Sequence, residues 1–150
     1  MEYEVCLSLK DIGMNKKDME DIAEYNEDAY FIDVKQCDFV IDFLKQKGLL
    51  DEEICNLLID NPYMISVEKG RALIIDDLLN GLGLIKKDKK ELIIKNSHIY
   101  TANPVEVKDI INYMKNSGYN KEDIRRKFLD DEELITASLD EVKIKVLRKE

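Results

Sequence analysis

The chain has 150 residues, 45% of them hydrophobic, which is the size of one domain with a sizeable buried core. Its net charge of −9 argues against non-specific attraction to nucleic acid or anionic membranes, and no apolar run approaches the roughly 18 residues of a membrane span. Three cysteines without a short paired spacing argue against a disulfide framework or a zinc site. We therefore expect a cytoplasmic protein with no membrane contact, metal or cofactor, and the many Ile, Lys and Asn residues are typical of an AT-rich bacterial or phage genome.

Charge is distributed unevenly along the chain. Residues 1–82 contain 19 acidic and 8 basic residues, a net charge of −11, whereas residues 83–150 contain 13 acidic and 15 basic residues, a net charge of +2. An acidic front half joined to a mildly basic back half indicates that the two halves present different surfaces to partners.

Four glycines divide the chain at intervals of 35 residues: Gly13, Gly48, Gly83 and Gly118. Apolar residues recur at the same distances after each glycine, which is typical of a repeat protein. A glycine just past a helix end closes the last turn in a left-handed conformation at no steric cost. The spacing predicts repeats over residues 13–47, 48–82, 83–117 and 118–150.

Residues 1–12 precede the first glycine. Val5 and Leu9 lie 35 residues before Val40 and Leu44, which favours a short N-terminal capping helix equivalent to the end of a repeat. Alternating polar and apolar residues over the first seven positions leave a strand as the alternative.

The first helix of each repeat is predicted to begin just after the glycine. Asn15 and Asn120 can each cap such a helix, because an Asp follows three residues later. Pro62 ends the first helix of the second repeat. The predicted first helices are 16–27, 51–60, 86–96 and 121–131. Three residues at one register are predicted to be buried between helix layers: Leu58, Ile93 and Phe128.

A second helix is predicted after a short link. Asn103 is suited to cap it in repeat three, and Pro104 fits the first turn because its missing N–H is not needed there. The predicted second helices are 34–47, 69–81, 104–116 and 139–148. Because neither helix of a pair can bury its apolar face alone, neighbouring pairs must stack. The prediction is an all-α protein, a single domain built as an α-solenoid of about four helix-pair repeats.

The second repeat resembles a known family. The matching residues are Gly48, Leu49, Ile54, Leu57, Leu58, Pro62, Met64 and Ile65, preceded by Phe43 and Leu44. This pattern is similar to the mitochondrial transcription termination factor (mTERF) repeat, and the similarity extends over most of residues 13–149. It implies a curved array of helix pairs that grips nucleic acid along a concave basic face. The proline of the mTERF motif occurs only in the second repeat. The pentatricopeptide repeat has the same 35-residue period, but its Pro-Asp link and Thr-Tyr helix start are absent from this sequence.

Basic residues recur at two helical registers in the back half. Lys86 and Lys90 are four residues apart on the first helix of repeat three. Lys121 and Arg125 hold the same registers in repeat four, so stacked repeats would bring the four side chains into a square array. This basic patch suits phosphates or an acidic partner, and the alternative is a solvated helix face. Its candidate contact residues are Lys86, Lys87, Lys90, Lys121, Arg125 and Arg126.

Other residues that could carry chemistry favour structural roles. His98 is the single histidine and lies in a link, where a surface position is favoured over a catalytic one. The acidic run at 130–133 lacks the alternating oxygen ligands of a calcium loop. Tyr63, Tyr100 and Tyr113 have rings that could stack on bases, but their register favours packing. We therefore expect no catalytic and no metal-binding residues.

These features lead to two functional expectations. The first is a non-catalytic protein-interaction or regulatory module whose acidic N-terminal half, over residues 16–82, suits a basic protein partner. The second is DNA or RNA binding through the basic patch, as the mTERF resemblance implies. The oligomeric state stays open.

Overall fold

The computed structural model describes residues 1–149 and the side chains of residues 1–145. Over these residues the protein is all helical, with nine α-helices and four short 3₁₀ helices that we call links 1 to 4. The α-helices are α1 (Tyr3–Asp11), α2 (Lys16–Tyr25), α3 (Val34–Gln46), α4 (Asp51–Asp60), α5 (Lys69–Gly81), α6 (Lys86–Lys95), α7 (Pro104–Asn116), α8 (Lys121–Asp130) and α9 (Leu139–Lys149). The links are Glu27–Tyr30, Pro62–Ser66, Ile99–Thr101 and Leu134–Thr136.

The helices recur at a fixed interval. The even-numbered helices α2, α4, α6 and α8 each have 10 residues, and each begins 35 residues after the one before it. Helices α3, α5 and α7 each have 13 residues and begin at the same interval, and the start of α9 continues it. The period seen in the sequence is therefore also the period of the secondary structure.

Polar side chains at the helix starts explain where the helices begin. At α8, Asn120 Oδ1 accepts from the N–H of Asp123 at 2.8 Å, and Asp123 Oδ2 accepts in return from the N–H of Asn120 at 3.1 Å. This reciprocal box satisfies two N–H groups that the first turn leaves without helical partners. Single caps of the same kind start α2, α3, α7 and α9, at Asn15, Asp33, Asn103 and Ser138.

Four glycines end the helices that precede each repeat. Gly13, Gly48, Gly83 and Gly118 have φ between 85° and 96°, and no other described residue has a positive φ. After each glycine, the next N–H donates to the carbonyl five residues before it, as from Tyr119 to Met114 at 3.1 Å. This is the Schellman arrangement, which needs a left-handed residue and therefore favours glycine. The expectation that each glycine follows a helix end is confirmed.

The described chain forms two compact units, residues 1–69 (unit 1) and 70–150 (unit 2). Their boundary lies at the start of α5, inside the predicted second repeat. In unit 1, α1 packs on α3, α2 on α4 and link 1 on link 2, so equivalent elements of successive repeats lie side by side. Its fully buried core residues include Val5, Leu9, Val40, Leu44, Ile54, Leu58, Met64 and Ile65.

In unit 2, α7 packs on its equivalent α9, as α1 packs on α3 in unit 1. Helix α7 also packs on α8, and link 4 packs on α7 and α8. Its core includes Ile75, Leu79, Leu92, Tyr100, Ile110, Met114, Ile124 and Phe128.

The prediction of an all-α protein is confirmed, and the helix that starts the chain replaces the strand alternative for its first residues. Leu58, Ile93 and Phe128 are at most 1% exposed, as their common register predicted. The packing expected for Tyr63 is wrong, because its ring is 58% exposed on link 2. The arrangement of four repeats as one solenoid stays a prediction.

Candidate functional site

The basic patch lies in unit 2, on α6 and α8. Its residues Lys86, Lys87, Lys121 and Arg126 are exposed, whereas Lys90 and Arg125 are partly buried.

Two residues of the basic patch come together at Gly83. A methyl group on Gly83 would lie 3.7 Å from Cδ of Arg125 and 3.7 Å from Cε of Lys121. The aliphatic stems of both side chains therefore lie against the turn that precedes α6. The turn glycine of one repeat thus supports the cationic side chains of the next.

Carboxylates reduce the positive charge of this patch. Arg125 Nη1 lies 3.9 Å from Asp88 Oδ2, and Arg126 Nη2 donates to Glu122 Oε1 at 3.1 Å. Asp88 also accepts the N–H of Ile85 and thereby caps α6. Such partly exposed pairs contribute little to stability, about 0–1 kcal/mol each, but they weaken the field that a phosphate would meet.

An open cleft of about 500 Å³ lies beside the patch, between the α7–α8 turn and α8. Its lining carries both signs of charge, with Arg126 and Lys127 among Asp123 and Asp130. The Lys127 ammonium lies 4.9 Å from the centroid of the Tyr119 ring, and Asp123 caps α8. These groups serve helix capping and local pairing, so the cleft has mixed charge rather than the character of an anion pocket.

A different surface in unit 1 combines acidic and aromatic side chains. Residues 18–33 contain seven acidic and no basic residues. Within and beside link 1, Tyr25 is 71%, Tyr30 54% and Phe31 86% exposed, and Tyr63 of the neighbouring link 2 is 58% exposed. We call these four residues the aromatic edge. Large exposed aromatic side chains are uncommon on soluble proteins, and grouped ones often mark an interaction surface.

Buried hydrogen bonds hold the aromatic edge in a fixed conformation. Asn26 is 2% exposed; its amide nitrogen donates to Pro62 O at 3.1 Å and to Ser66 Oγ at 2.8 Å. Its amide oxygen accepts from the N–H of Asp28 at 3.1 Å, which shapes the start of link 1. The bond to Pro62 holds links 1 and 2 together, and Tyr25 and Tyr63 are the chain neighbours of the two bonded residues. One buried amide thus joins the two links.

The same device occurs in unit 2. Asn96 donates at 2.9 Å to Glu132 O and at 2.9 Å to Thr136 Oγ1, and it accepts from the N–H of His98. Asn26 and Asn96 are 70 residues apart, and both bind partners 36 and 40 residues further along the chain. The sequence carries a signal for this bond, an Asn followed after 40 residues by Ser or Thr.

A buried polar cluster forms between the end of repeat two and repeat three, at registers that are apolar one period earlier and one period later. The Lys89 ammonium lies 3.0 Å from Asp76 Oδ1 and also donates to Asn80, and the Tyr100 hydroxyl donates to Asp76 Oδ1 at 2.8 Å. The side chains of Lys89 and Asp76 are 7% and 13% exposed. The equivalent positions are held by buried isoleucines, namely Ile41, Ile54 and Ile65 at 35 residues earlier and Ile111, Ile124 and Ile135 at 35 residues later.

This cluster affects the acidity of its tyrosine. Burial, reinforced by the charge of Asp76 and by their hydrogen bond, raises the pKa of Tyr100 far above the ordinary value. The phenol is therefore a hydrogen-bond donor and not a nucleophile. The predicted packing role of Tyr100 is confirmed, and Tyr113 is half-buried on α7.

His98 is exposed beside a small cleft of about 180 Å³ between links 3 and 4. The polar groups around it serve the fold: Thr101 Oγ1 donates to His98 O, and Asn103 Oδ1 accepts from the N–H of Val105 to cap α7. Its surface location agrees with the role favoured from the sequence.

The three cysteines are free thiols. Burial, with smaller contributions from Asp38 and Cys6, raises the pKa of Cys37 to about 12. Burial also raises the pKa of Cys55, whose Sγ lies 3.3 Å from Ile12 O. Both thiols are therefore poor nucleophiles at neutral pH.

Among the residues described here, none of the helices is both long enough and apolar enough to cross a membrane. No group of three or more His, Cys, Asp or Glu side chains in that part of the chain is arranged to hold a metal ion. Comparison with protein-family models finds no match, and comparison with curated proteins finds none either. The resemblance to mTERF repeats thus stays a prediction.

Proposed function

We propose that this protein is a non-catalytic binding module whose acidic front half recognises a basic protein. The observation that carries the proposal is the contrast between its two charged surfaces. The stretch at 18–33 has seven acidic and no basic residues, with Glu24, Glu27 and Asp28 exposed. A partner that neutralises these carboxylates gains a steered approach and long-range attraction.

The groups that line the clefts support binding over catalysis. Asp123 in the larger cleft caps a helix and Arg126 pairs with Glu122, so both are engaged in holding α8. In the smaller cleft the imidazole of His98 is exposed, and polar groups around it serve the fold: Thr101 Oγ1 donates to His98 O, and Asn103 caps α7. A catalytic constellation would need a nucleophile or an orienting carboxylate held against this base.

We further propose that the helix pairs stack as an α-solenoid of four repeats. The support comes from within each unit: equivalent helices of successive repeats pack side by side in unit 1, and one kind of Asn bond joins successive links in both units. A repeat array offers a long surface made of equivalent positions, which suits recognition of another chain.

The proposal is tested by capture from the native host with this chain as bait, performed in parallel with and without nuclease treatment. Charge reversal at the acidic surface, Glu27→Lys with Asp28→Lys, should release a captured basic protein. The matched reversal at the basic patch, Lys87→Glu with Lys121→Glu, should leave capture unchanged. Recovery of nucleic acid alone, or loss of capture only in the second variant, would overturn the proposal.

A second candidate function is nucleic-acid binding through the basic patch. It is favoured by the convergence of Lys121 and Arg125 on Gly83, next to the exposed lysines that begin α6. Affinity for a DNA or RNA oligonucleotide would then fall steeply with salt, with a slope of roughly 0.7–0.9 per neutralised phosphate. Replacing Lys90 and Arg125 with Glu should abolish binding while the helical circular dichroism is kept. Absence of binding to both nucleic acids at low salt would end this candidate.

A further inference from the structure

Three of the four rings of the aromatic edge are not required by the fold. The registers of Tyr25, Phe31 and Tyr63 recur in unit 2, where they are held by Lys95, Thr101 and His98, and the links still form. The register of Tyr30 differs, because it is held by the buried residues Tyr100 and Ile135 in unit 2. The register of Phe31 is held by Ser66 and by Thr136, whose hydroxyls accept a hydrogen bond from an asparagine of the preceding link. Polar residues thus serve the repeat at the registers of Tyr25, Phe31 and Tyr63, and these three exposed rings need another explanation.

The rings lie among carboxylates and away from basic side chains along the chain. Glu24, Glu27 and Asp28 are exposed and alternate with Tyr25 and Tyr30 in one short segment. A surface of this composition offers ring faces and negative charges together. Of the common side chains, arginine matches both, because its planar guanidinium stacks on aromatic rings and pairs with carboxylates.

The edge is also preorganised. The Asn26 amide joins link 1 to link 2 through buried hydrogen bonds, so binding does not have to order these links first. A partner therefore loses less of its interaction free energy to ordering of this surface.

We propose that the aromatic edge is the docking site for an extended, arginine-rich segment of a partner protein. This inference rests on the proposed function and adds the location of the surface and the chemistry of the partner. Guanidinium groups stack on Tyr25, Phe31 and Tyr63, while Glu27 and Asp28 pair with their charge. An extended segment suits the site because the rings lie along two neighbouring links rather than around a pocket.

The test is a fluorescence anisotropy titration of the full chain with a short labelled peptide of alternating Arg and Gly. Truncation of Phe31 or Tyr63 to Ala should weaken binding by about 2- to 30-fold, the range of one cation–π contact. The combination Glu27→Gln with Asp28→Asn should weaken binding and reduce its salt dependence. Tyr3 on α1 is 75% exposed and serves as the matched control. The variant Tyr3→Ala should leave the affinity for the peptide unchanged.

A peptide of alternating Lys and Gly separates stacking from charge. The Lys peptide should bind the wild type more weakly than the Arg peptide does. The two peptides should bind the Phe31→Ala variant with equally weak affinity. Equal affinity of the two peptides for the wild type, or an Arg peptide indifferent to Phe31 and Tyr63, overturns this inference.

Two further results separate this inference from the function on which it rests. Capture of a basic protein that depends on Glu27 and Asp28 but not on the rings would overturn the stacking inference and keep the proposed function. Self-association of the wild type in sedimentation velocity that Phe31→Ala abolishes would assign the edge to a second copy of the chain and overturn the inference.

Discussion

Replacing Lys89 with Met tests the buried cluster of Asp76, Lys89 and Tyr100. Met keeps the length of the side chain and occupies the equivalent register in repeat one, at Met19. The change removes the counter-charge of Asp76, which is 13% exposed and keeps its hydrogen bond from Tyr100. Leaving a nearly buried carboxylate without its cationic partner costs about 3–5 kcal/mol, a large share of the roughly 5–15 kcal/mol that stabilises a typical domain.

A triple variant separates the cost of breaking the cluster from the value of having it. Asp76→Ile with Lys89→Ile and Tyr100→Ile recreates the isoleucine trio found 35 residues earlier and 35 residues later in the chain. The gain in volume at Asp76 and the loss at Tyr100 roughly compensate, which favours repacking. Replacement of a buried ion pair by apolar residues is often neutral or stabilising by about 1–4 kcal/mol. We expect the triple variant to be at least as stable as the wild type.

The assay is urea unfolding followed by far-ultraviolet circular dichroism, with the midpoint and slope fitted for each variant. Lys87→Met serves as the control, because it makes the same change at an exposed position on the same helix. A Lys89→Met variant within about 1 kcal/mol of the wild type would refute the charge argument. A triple variant as unstable as Lys89→Met would show that the repeats are not equivalent in packing.

Other predictions concern the core, the turns and the thiols, each compared with the wild type by urea unfolding. Leu58→Ala should cost about 2–5 kcal/mol through lost burial and a cavity, whereas Lys87→Ala should be nearly silent; equal effects would contradict the assignment of the core. Gly118→Ala should cost about 1–2 kcal/mol because the φ of Gly118 is 96°. Gly81 lies at a helical position with open space around it, so Gly81→Ala should stabilise the protein by about 0.4–1 kcal/mol. The opposite order of stability would contradict the turn geometry. Burial raises the pKa of Cys37 from 9.0 to about 12. The contribution of the protonated thiol to the free energy of unfolding is therefore complete below about pH 9 and is lost as the pH rises above that value. Cys37→Ala should therefore flatten the loss of stability between about pH 9 and pH 11 relative to the wild type, and an unchanged slope would count against a buried thiol.

The positions of the helices could be predicted because local chemistry specifies them. Glycine at a left-handed position, Asn120 and Asp123 as a capping box, and Pro104 in a first turn act within a few residues of the boundary they define. Such signals do not depend on the rest of the fold. The register of Leu58 could be predicted for the same reason, since helical periodicity identifies the buried face.

The features of the candidate surfaces depended on contacts that counting along the chain does not show. Tyr63 sits in a 3₁₀ link, where a turn has fewer residues than in an α-helix, so helical register does not give the direction of its ring. The cluster of Asp76, Lys89 and Tyr100 is visible in the sequence as three polar residues at registers that are isoleucine 35 residues earlier and 35 residues later. Its meaning required the distances between helices α5 and α6 and link 3.

Backbone amide NMR of the full chain, titrated first with the Arg-Gly peptide and then with a single-stranded oligonucleotide, locates the surface that binds each ligand. We expect the peptide to shift resonances of residues 24–31 and of link 2 around Tyr63. We expect the oligonucleotide to produce smaller changes at low salt and none at physiological salt. Peptide-induced shifts absent from both links, together with oligonucleotide-induced shifts on α6 and α8 that persist at physiological salt, would contradict both expectations.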